Sequence, residues 1–157
     1  MTNGTFHTGE NVDISPGVSL NNVKTGSRGK IRHFSILFGS ETQPMTIGDD
    51  FFVGVQCYLN GIAGITIGNR VTITHGVMMF SDAGPNTSPA LQKHYPIIAK
   101  PIVIGDDVWI GARAMIMPGV TIGNKCVIGA GALVKDDVPD GTVVGGLPAR
   151  VLSMLEE

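Results

Sequence analysis

From Ile104 to Val138 an aliphatic residue returns every six positions, at Ile104, Ile110, Ile116, Ile122, Ile128 and Val134. The fifth member of each hexad is small or β-branched: Val108, Ala114, Val120, Cys126, Ala132 and Val138. A period of six is neither the three-and-four spacing of a helix stripe nor the alternation of a free strand. It predicts a parallel β-helix in which each hexad is a short strand plus a turn. Three hexads then make one triangular coil, and coils stack about 4.8 Å apart. Gly105, Gly111, Gly123 and Gly129 follow the inward aliphatic, where the backbone must pass close to a neighbouring turn.

Upstream the pattern is less even. Val12 to Leu20 forms an opening turn with Ile14, Val18 and Leu20 in phase, and Asn21 to Thr46 is looser, with Arg28, Lys30, Arg32 and His33 ahead of the apolar run Phe34 to Phe38. Phase returns at Ile47, Val53 and Leu59, slips by two at Ile65 and resumes with Ile67, Ile73 and Met79; the slip predicts a bulged turn. Periodicity stops from Phe80 to Pro101, a segment with Pro85, Pro89 and Pro96, and resumes in phase beyond it. That makes the segment an insertion at one corner, and long insertions of this kind are usually functional or disordered. Leu147, Val151, Leu152 and Leu155 have roughly helical spacing, so a short C-terminal helix over 147–157 is expected to cover the open end, where a bare coil would leave unpaired edges.

Composition fits a solenoid. The chain has 157 residues, enough for one domain, and its 22 glycines exceed ordinary usage of roughly 7%, an excess that the turns absorb. A charged fraction of 15% and a net charge of −2 give no general attraction to nucleic acid or anionic membranes. Met1 to Val12 is polar, and no run approaches the roughly 18 apolar residues of a membrane span, so a cytoplasmic protein is expected. Cys57 and Cys126 take the small fifth hexad position, where a buried thiol acts as a compact hydrophobe and no disulfide is expected.

The run IGDDVWIGARAMIMPGVTIGNKCVIGAGALVKDD, followed by GTVVGGLPARVL, resembles the left-handed β-helix hexapeptide-repeat acyltransferases, in particular the sugar and xenobiotic O-acetyltransferase branch. The resemblance covers about Ile47 to Leu152. It implies an all-β, left-handed parallel β-helix, a homotrimer, and acetyl-coenzyme A lying in a groove between subunits with the acceptor at the base of the long loop. It further implies that backbone groups at Ala112 and Ala130 meet the pantetheine arm, where small side chains let a thin ligand lie against the coil. Arg150, in Leu-Pro-Ala-Arg, falls where the family has a basic residue near the nucleotide phosphates, and Lys135 falls one place out of step with a family lysine. Trp109 matches a tryptophan that flanks the reacting centre; at an outward hexad position it is either an exposed platform or a subunit contact. Gln56 stands where the family often has a polar amide that places the acceptor.

The acceptor side departs from the family. The expected general base, a histidine, falls in phase at Gly84 within Ser-Asp-Ala-Gly-Pro. Three residues are candidates to replace it: Asp82, two places earlier; His75, at a solenoid corner; and His94, on the long loop. A positioned base contributes ~10²- to 10⁴-fold, whereas proximity of two bound substrates supplies ~7 to 11 kcal/mol, so transfer survives the loss at a lower rate. An amine tolerates the loss better than a hydroxyl, because it attacks with its lone pair and sheds its proton afterwards. The expected activity is therefore acyl transfer from acetyl-coenzyme A to a hydroxyl or amino group of a sugar-like acceptor, as in polysaccharide biosynthesis, with no metal required. A trimeric scaffold that keeps the groove without the chemistry is the alternative. A zinc enzyme of the γ-class carbonic anhydrase kind is the more distant one, since His7, His33, His75 and His94 lack paired spacing across coils.

Overall fold

The computed structural model describes residues 4–156; Met1–Asn3, within the polar N-terminal stretch, and Glu157 lie outside the described residues. The chain winds into a parallel β-solenoid of about seven turns with three flat faces. The first coil holds β1 (Phe6–His7), β2 (Val12–Ile14) and β3 (Ser19–Asn21), and the second β4 (Val23–Thr25), β5 (Gly29–Ile31) and β6 (Ile36–Gly39). The third holds β7 (Met45–Ile47), β8 (Phe52–Val53) and β9 (Tyr58–Gly61), and the fourth β10 (Ile65–Ile67), β11 (Thr72–Ile73) and β12 (Met78–Phe80). An inserted arm follows, containing β13 (Asp82–Ala83), α1 (Pro89–Gln92) and β14 (Ile98–Ala99). The fifth coil holds β15 (Ile102–Ile104), β16 (Trp109–Ile110) and β17 (Met115–Ile116), and the sixth β18 (Thr121–Ile122), β19 (Val127–Ile128) and β20 (Leu133–Val134). β21 (Thr142–Gly145) and β22 (Arg150–Met154) end the chain.

The hexad aliphatics stack in columns inside the triangle. On the second face Ile31, Val53, Ile73, Ile110, Ile128 and Val144 are in register, and on the third Leu37, Leu59, Met79, Ile116 and Val134. All are buried, as are the fifth-position residues Val108, Ala114, Val120, Cys126, Ala132 and Val138. The apolar interior is thus continuous along the axis, which is how stacked repeats too small to fold alone are stabilised. The Cys57 thiol points to the Thr74 carbonyl and that of Cys126 to the Pro139 carbonyl, each at 3.1 Å, and burial pushes both thiols up from their ordinary pKa.

The looser Asn21–Thr46 segment is a complete coil, because Val23, Ile31 and Leu37 still turn inward. The phase slip is a bulged turn: stacked Ile47 and Ile67 are two residues further apart than stacked Ile104 and Ile122. The extra length loops out at Ile62–Gly64, closed by the Gly64 N–H on the Gly61 carbonyl at 2.9 Å. The insertion over 80–101 leaves the solenoid at one corner, and Ile65 pairs with Ile102 as though it were absent. β13 and β14 pair antiparallel at its root, and α1 is capped by the Ser88 hydroxyl accepting from the Leu91 N–H at 3.2 Å.

The expected C-terminal helix is not there. β22 runs antiparallel along β21, and Leu147, Val151, Leu152 and Met154 stay more than half exposed. Pairing wins because the last strand of the second face otherwise presents a row of free backbone N–H and C=O groups, which a strand can satisfy and a helix laid across it cannot. The only helix among the described residues is α1.

Candidate active site

The corner joining the second and third faces builds a column of equivalent turn positions, one per coil: Val55, His75, Ala112 and Ala130. Backbone bonds fix the stacking, from the Gly76 N–H to the Val55 carbonyl, the Arg113 N–H to that of His75, and the Gly131 N–H to that of Ala112, at 2.8 to 2.9 Å. The following residue takes positive φ at Gln56, Gly76, Arg113 and Gly131, which turns the chain onto the third face. Ala112 and Ala130 therefore form a strip of methyl groups on one edge. The strip ends at His75, where the column changes from methyl to imidazole.

Val55, Gln56, His75, Gly76, Ala112 and Arg113 line a cleft of about 310 Å³. His75 is exposed, yet its ring is fixed: Nδ1 accepts the Val55 N–H at 2.8 Å, and Phe52 meets it edge-on with centroids 6.2 Å apart. Gly54 leaves the space, since a Cβ there would lie 2.6 Å from Nδ1. The Arg113 stem lies over Gly76, and its guanidinium makes no ion pair among the described residues. Trp109 projects outward from the second face, 56% exposed, and its Nε1–H donates to the Thr74 hydroxyl at 3.2 Å, next to His75. Arg113 and Thr74 escaped the sequence reading. The signal for Arg113 was its equivalence to Gln56 across stacked coils, hidden by the insertion between them.

Lys135 and Arg150 line a second cleft of about 210 Å³ with Asp136, Asp137 and Ala149 at the C-terminal end of the solenoid, and Lys135, next after Val134, stands across the third face from Ala130. Lys135 meets Asp136 at 3.2 Å, and Arg150 donates to the Ala149 carbonyl at 3.1 Å. Two cations and two carboxylates thus stand together at the C-terminal end, and the two methyl-bearing turns leave room for a thin ligand along their edge.

The remaining candidates lie elsewhere in the chain. Asp82 is half-buried on β13, across the whole width of the third face from His75, roughly 20 Å for an extended run of that length. Its Oδ1 accepts from Asn60 Nδ2 at 2.7 Å. His94 is exposed on the arm beyond α1. Gly84 sits where β13 leaves the root of the arm, and a Cβ there would lie 2.7 Å from Ile97 Cα. The two sides of the arm are too close at that point to admit any side chain. The chain thus brings together Gln56, His75, Trp109 and Ala112 in one place, Lys135 and Arg150 in another, and leaves Asp82, Gly84 and His94 apart.

Two family models match: "Bacterial transferase hexapeptide (six repeats)" over residues 101–136 and "Hexapeptide repeat of succinyl-transferase" over 44–79. The galactoside O-acetyltransferase of Escherichia coli is 37% identical over 111 residues, covering 71% of this chain and 54% of that protein. An Escherichia coli chloramphenicol acetyltransferase is 43% identical over 105 residues, covering 65% and 50%. The chain thus spans about half the length of these relatives. Among solved structures, a hexapeptide-repeat-containing acetyltransferase from Vibrio cholerae matches with a TM-score of 0.66 at 28% identity, covering 98% of this chain and 74% of that one. AntD, an N-acyltransferase from Bacillus cereus solved with coenzyme A and dTDP-4-amino-4,6-dideoxyglucose, shares the fold with a TM-score of 0.84 at 24% identity, covering 96% and 84%. With its hexad columns, its alanine strip and these relatives, the chain belongs to the left-handed β-helix hexapeptide-repeat acyltransferase family.

Proposed function

We propose that the protein transfers an acetyl group from acetyl-coenzyme A to an amino or hydroxyl group of a sugar-like acceptor. The observation that carries this reading is the strip Ala130–Ala112, whose next turn position is His75 in the cleft lined with Gln56. Lys135 and Arg150 hold the phosphates, a planar guanidinium suiting an anionic oxygen fork. The two alanines admit the pantetheine arm, and Gln56 and Trp109 orient the acceptor. The acceptor's nitrogen or oxygen bonds to the thioester carbon, the carbon–sulfur bond breaks, and the sulfur leaves as the thiol of coenzyme A. Backbone N–H groups of the corner turns favour the negative charge that develops on the carbonyl oxygen.

Asp82 is the first candidate to receive the acceptor's proton, with His94 on the arm as another. Asn60 holds one carboxylate oxygen of Asp82, which orients the other. Because Asp82 and the cleft lie on opposite edges of the third face, this role requires a neighbouring subunit to bring its arm root to the cleft, which supports a homotrimer. The outward side of the third face supports it as well: Ile36, Tyr58, Met78, Met115 and Leu133 stack in one column. The same outward column of the first face reads Lys24, Thr46, Thr66, Val103 and Thr121. A cytoplasmic role in building or modifying polysaccharide fits these assignments; no helix among the described residues is long and apolar enough to cross a membrane.

The test is thiol release from acetyl-coenzyme A with glucosamine and with glucose. Acceptor-dependent release that favours the amine is expected, given a glycine where the family base would stand. A clear preference for the hydroxyl would count against the amine acceptor. Coenzyme A binding with no transfer to either sugar would select the scaffold reading.

A further inference from the structure

We infer that His75 donates a hydrogen bond from Nε2–H to the thioester carbonyl oxygen during transfer, as a neutral imidazole, and is not the base. The inference rests on the transferase reading. Nδ1 accepts the Val55 backbone N–H at 2.8 Å, and an amide nitrogen can only donate, so the ring proton of neutral His75 sits on Nε2. Phe52 and the space left by Gly54 hold that orientation. With Nδ1 occupied, only Nε2 is available to the cleft, and it carries a proton to offer, with no lone pair to accept one. A base would need the opposite arrangement.

Position supplies the second half. His75 occupies the same turn position as Ala112 and Ala130, one coil further from the C-terminal end of the solenoid. An arm anchored by its phosphates and laid along the two alanines advances about 4.8 Å per coil and brings its reactive end to the level of His75. The first side chain that interrupts the methyl strip is therefore a fixed donor, at the place where charge develops on the carbonyl oxygen. The bonds formed and broken are those of the transfer step, and His75 keeps its proton throughout. Donors preorganised in this way act on the transition state more than on the bound substrate.

Two variants separate this role from a structural one, because asparagine places an oxygen near the position of Nδ1 and glutamine a nitrogen donor near that of Nε2. His75→Asn keeps the acceptor for the Val55 N–H and loses the donor. It is expected to melt like the parent while kcat with acetyl-coenzyme A and glucosamine falls ~10²- to 10³-fold at little-changed KM. His75→Gln keeps a donor toward the cleft and loosens the turn, so it is expected to melt earlier and to stay within about tenfold of the parent kcat. Nitrogen-15 NMR of the ligand-free protein at about pH 8.5, above the ordinary imidazole range, reads the tautomer without any turnover. Protonated Nε2 is expected. Protonated Nδ1, or a His75→Asn variant as fast as the parent, would overturn the proposal even in an active enzyme. Protonated Nε2 with no turnover by the parent would instead refute the transferase reading and take the oxyanion role with it.

Discussion

Gly105 has no side chain because the next coil occupies the space. A Cβ there would collide with the Asn124 side chain and lie 2.9 Å from the Gly123 carbonyl carbon. The same arrangement recurs at Gly26, Gly48, Gly68 and Gly123, each under an Asx residue of the following coil. Those side chains accept backbone N–H groups from the coil before: Ser27 to Asp49, Asp49 to Asn69, Asn69 to Asp106, Asp106 to Asn124 and Asn124 to Asp140, at 2.7 to 2.8 Å. The Ile-Gly-Asx signature is thus a joint between coils, with the glycine as socket and the Asx oxygen as pin. Gly105→Ala is expected to lower the urea midpoint by about 1–3 kcal/mol worth of stability, with an unchanged denaturant slope. An unaltered midpoint would mean that the coils can part there without cost. The hexad made Gly105 and Gly123 legible in the sequence, although the partner each one accommodates lies a full coil away.

At the level of elements, the arm shows where a sequence pattern misleads. Gly84 occupies the register of the family base, which suggests a restorable activity, yet the arm closes against Ile97 at that point. Gly84→His is therefore expected to leave turnover unraised and to open the β13–β14 pair, read as faster amide exchange at Ala83 and Ile98. Recovered activity with intact pairing would contradict the geometry. The C-terminal segment misled for a different reason: residues 147, 151, 152 and 155 mimic a helix stripe, but an unpaired strand edge beside them is the stronger constraint.

A charge ladder along the corner between the first and second faces is a further element-level feature, formed where Arg28 meets Asp50 and Arg70 meets Asp107, each at 2.7 Å. Hydrogen bonds from the guanidiniums, then their charge, hold both carboxyls below the ordinary carboxylate range. Depressed values stabilise the fold above that range, and the contribution disappears as pH falls through the folded-state value. Melting temperature is expected to hold steady down to about pH 5 and to drop below about pH 4, with a shallower drop in the Asp50→Asn, Asp107→Asn double variant. The effect is modest, because the pairs are exposed and salt weakens them. An identical acid limb in the double variant would assign the loss to other carboxylates.

For the whole molecule, the three faces differ in what they offer outward. Met78 lies at the centre of the apolar column of the third face, 40% exposed, and the Phe38, Tyr58 and Phe80 rings sit with centroids 5.8 and 5.9 Å apart. A charge there is costly only if the face is covered. Met78→Glu is expected to sediment as a monomer with an intact β spectrum and to lose transfer, because no neighbour then brings an arm root to the cleft. A monomer that still turns over would show that one protomer suffices. The triangular cross-section and the inward columns were readable from periodicity, since each repeats its neighbour's chemistry, and the two alanines from the family resemblance. The proximity of His75 to Ala112 was not, because the arm removes them from a common count while the coils keep them stacked.

The uninterrupted pairing of Ile65 with Ile102 has one more consequence. Since the solenoid closes beneath the arm as if nothing had been spliced in, residues 80–101 behave as an exchangeable cassette. In the proposed reaction, the part that reads the acceptor can then be swapped while the rail proposed to carry the acyl donor stays in place.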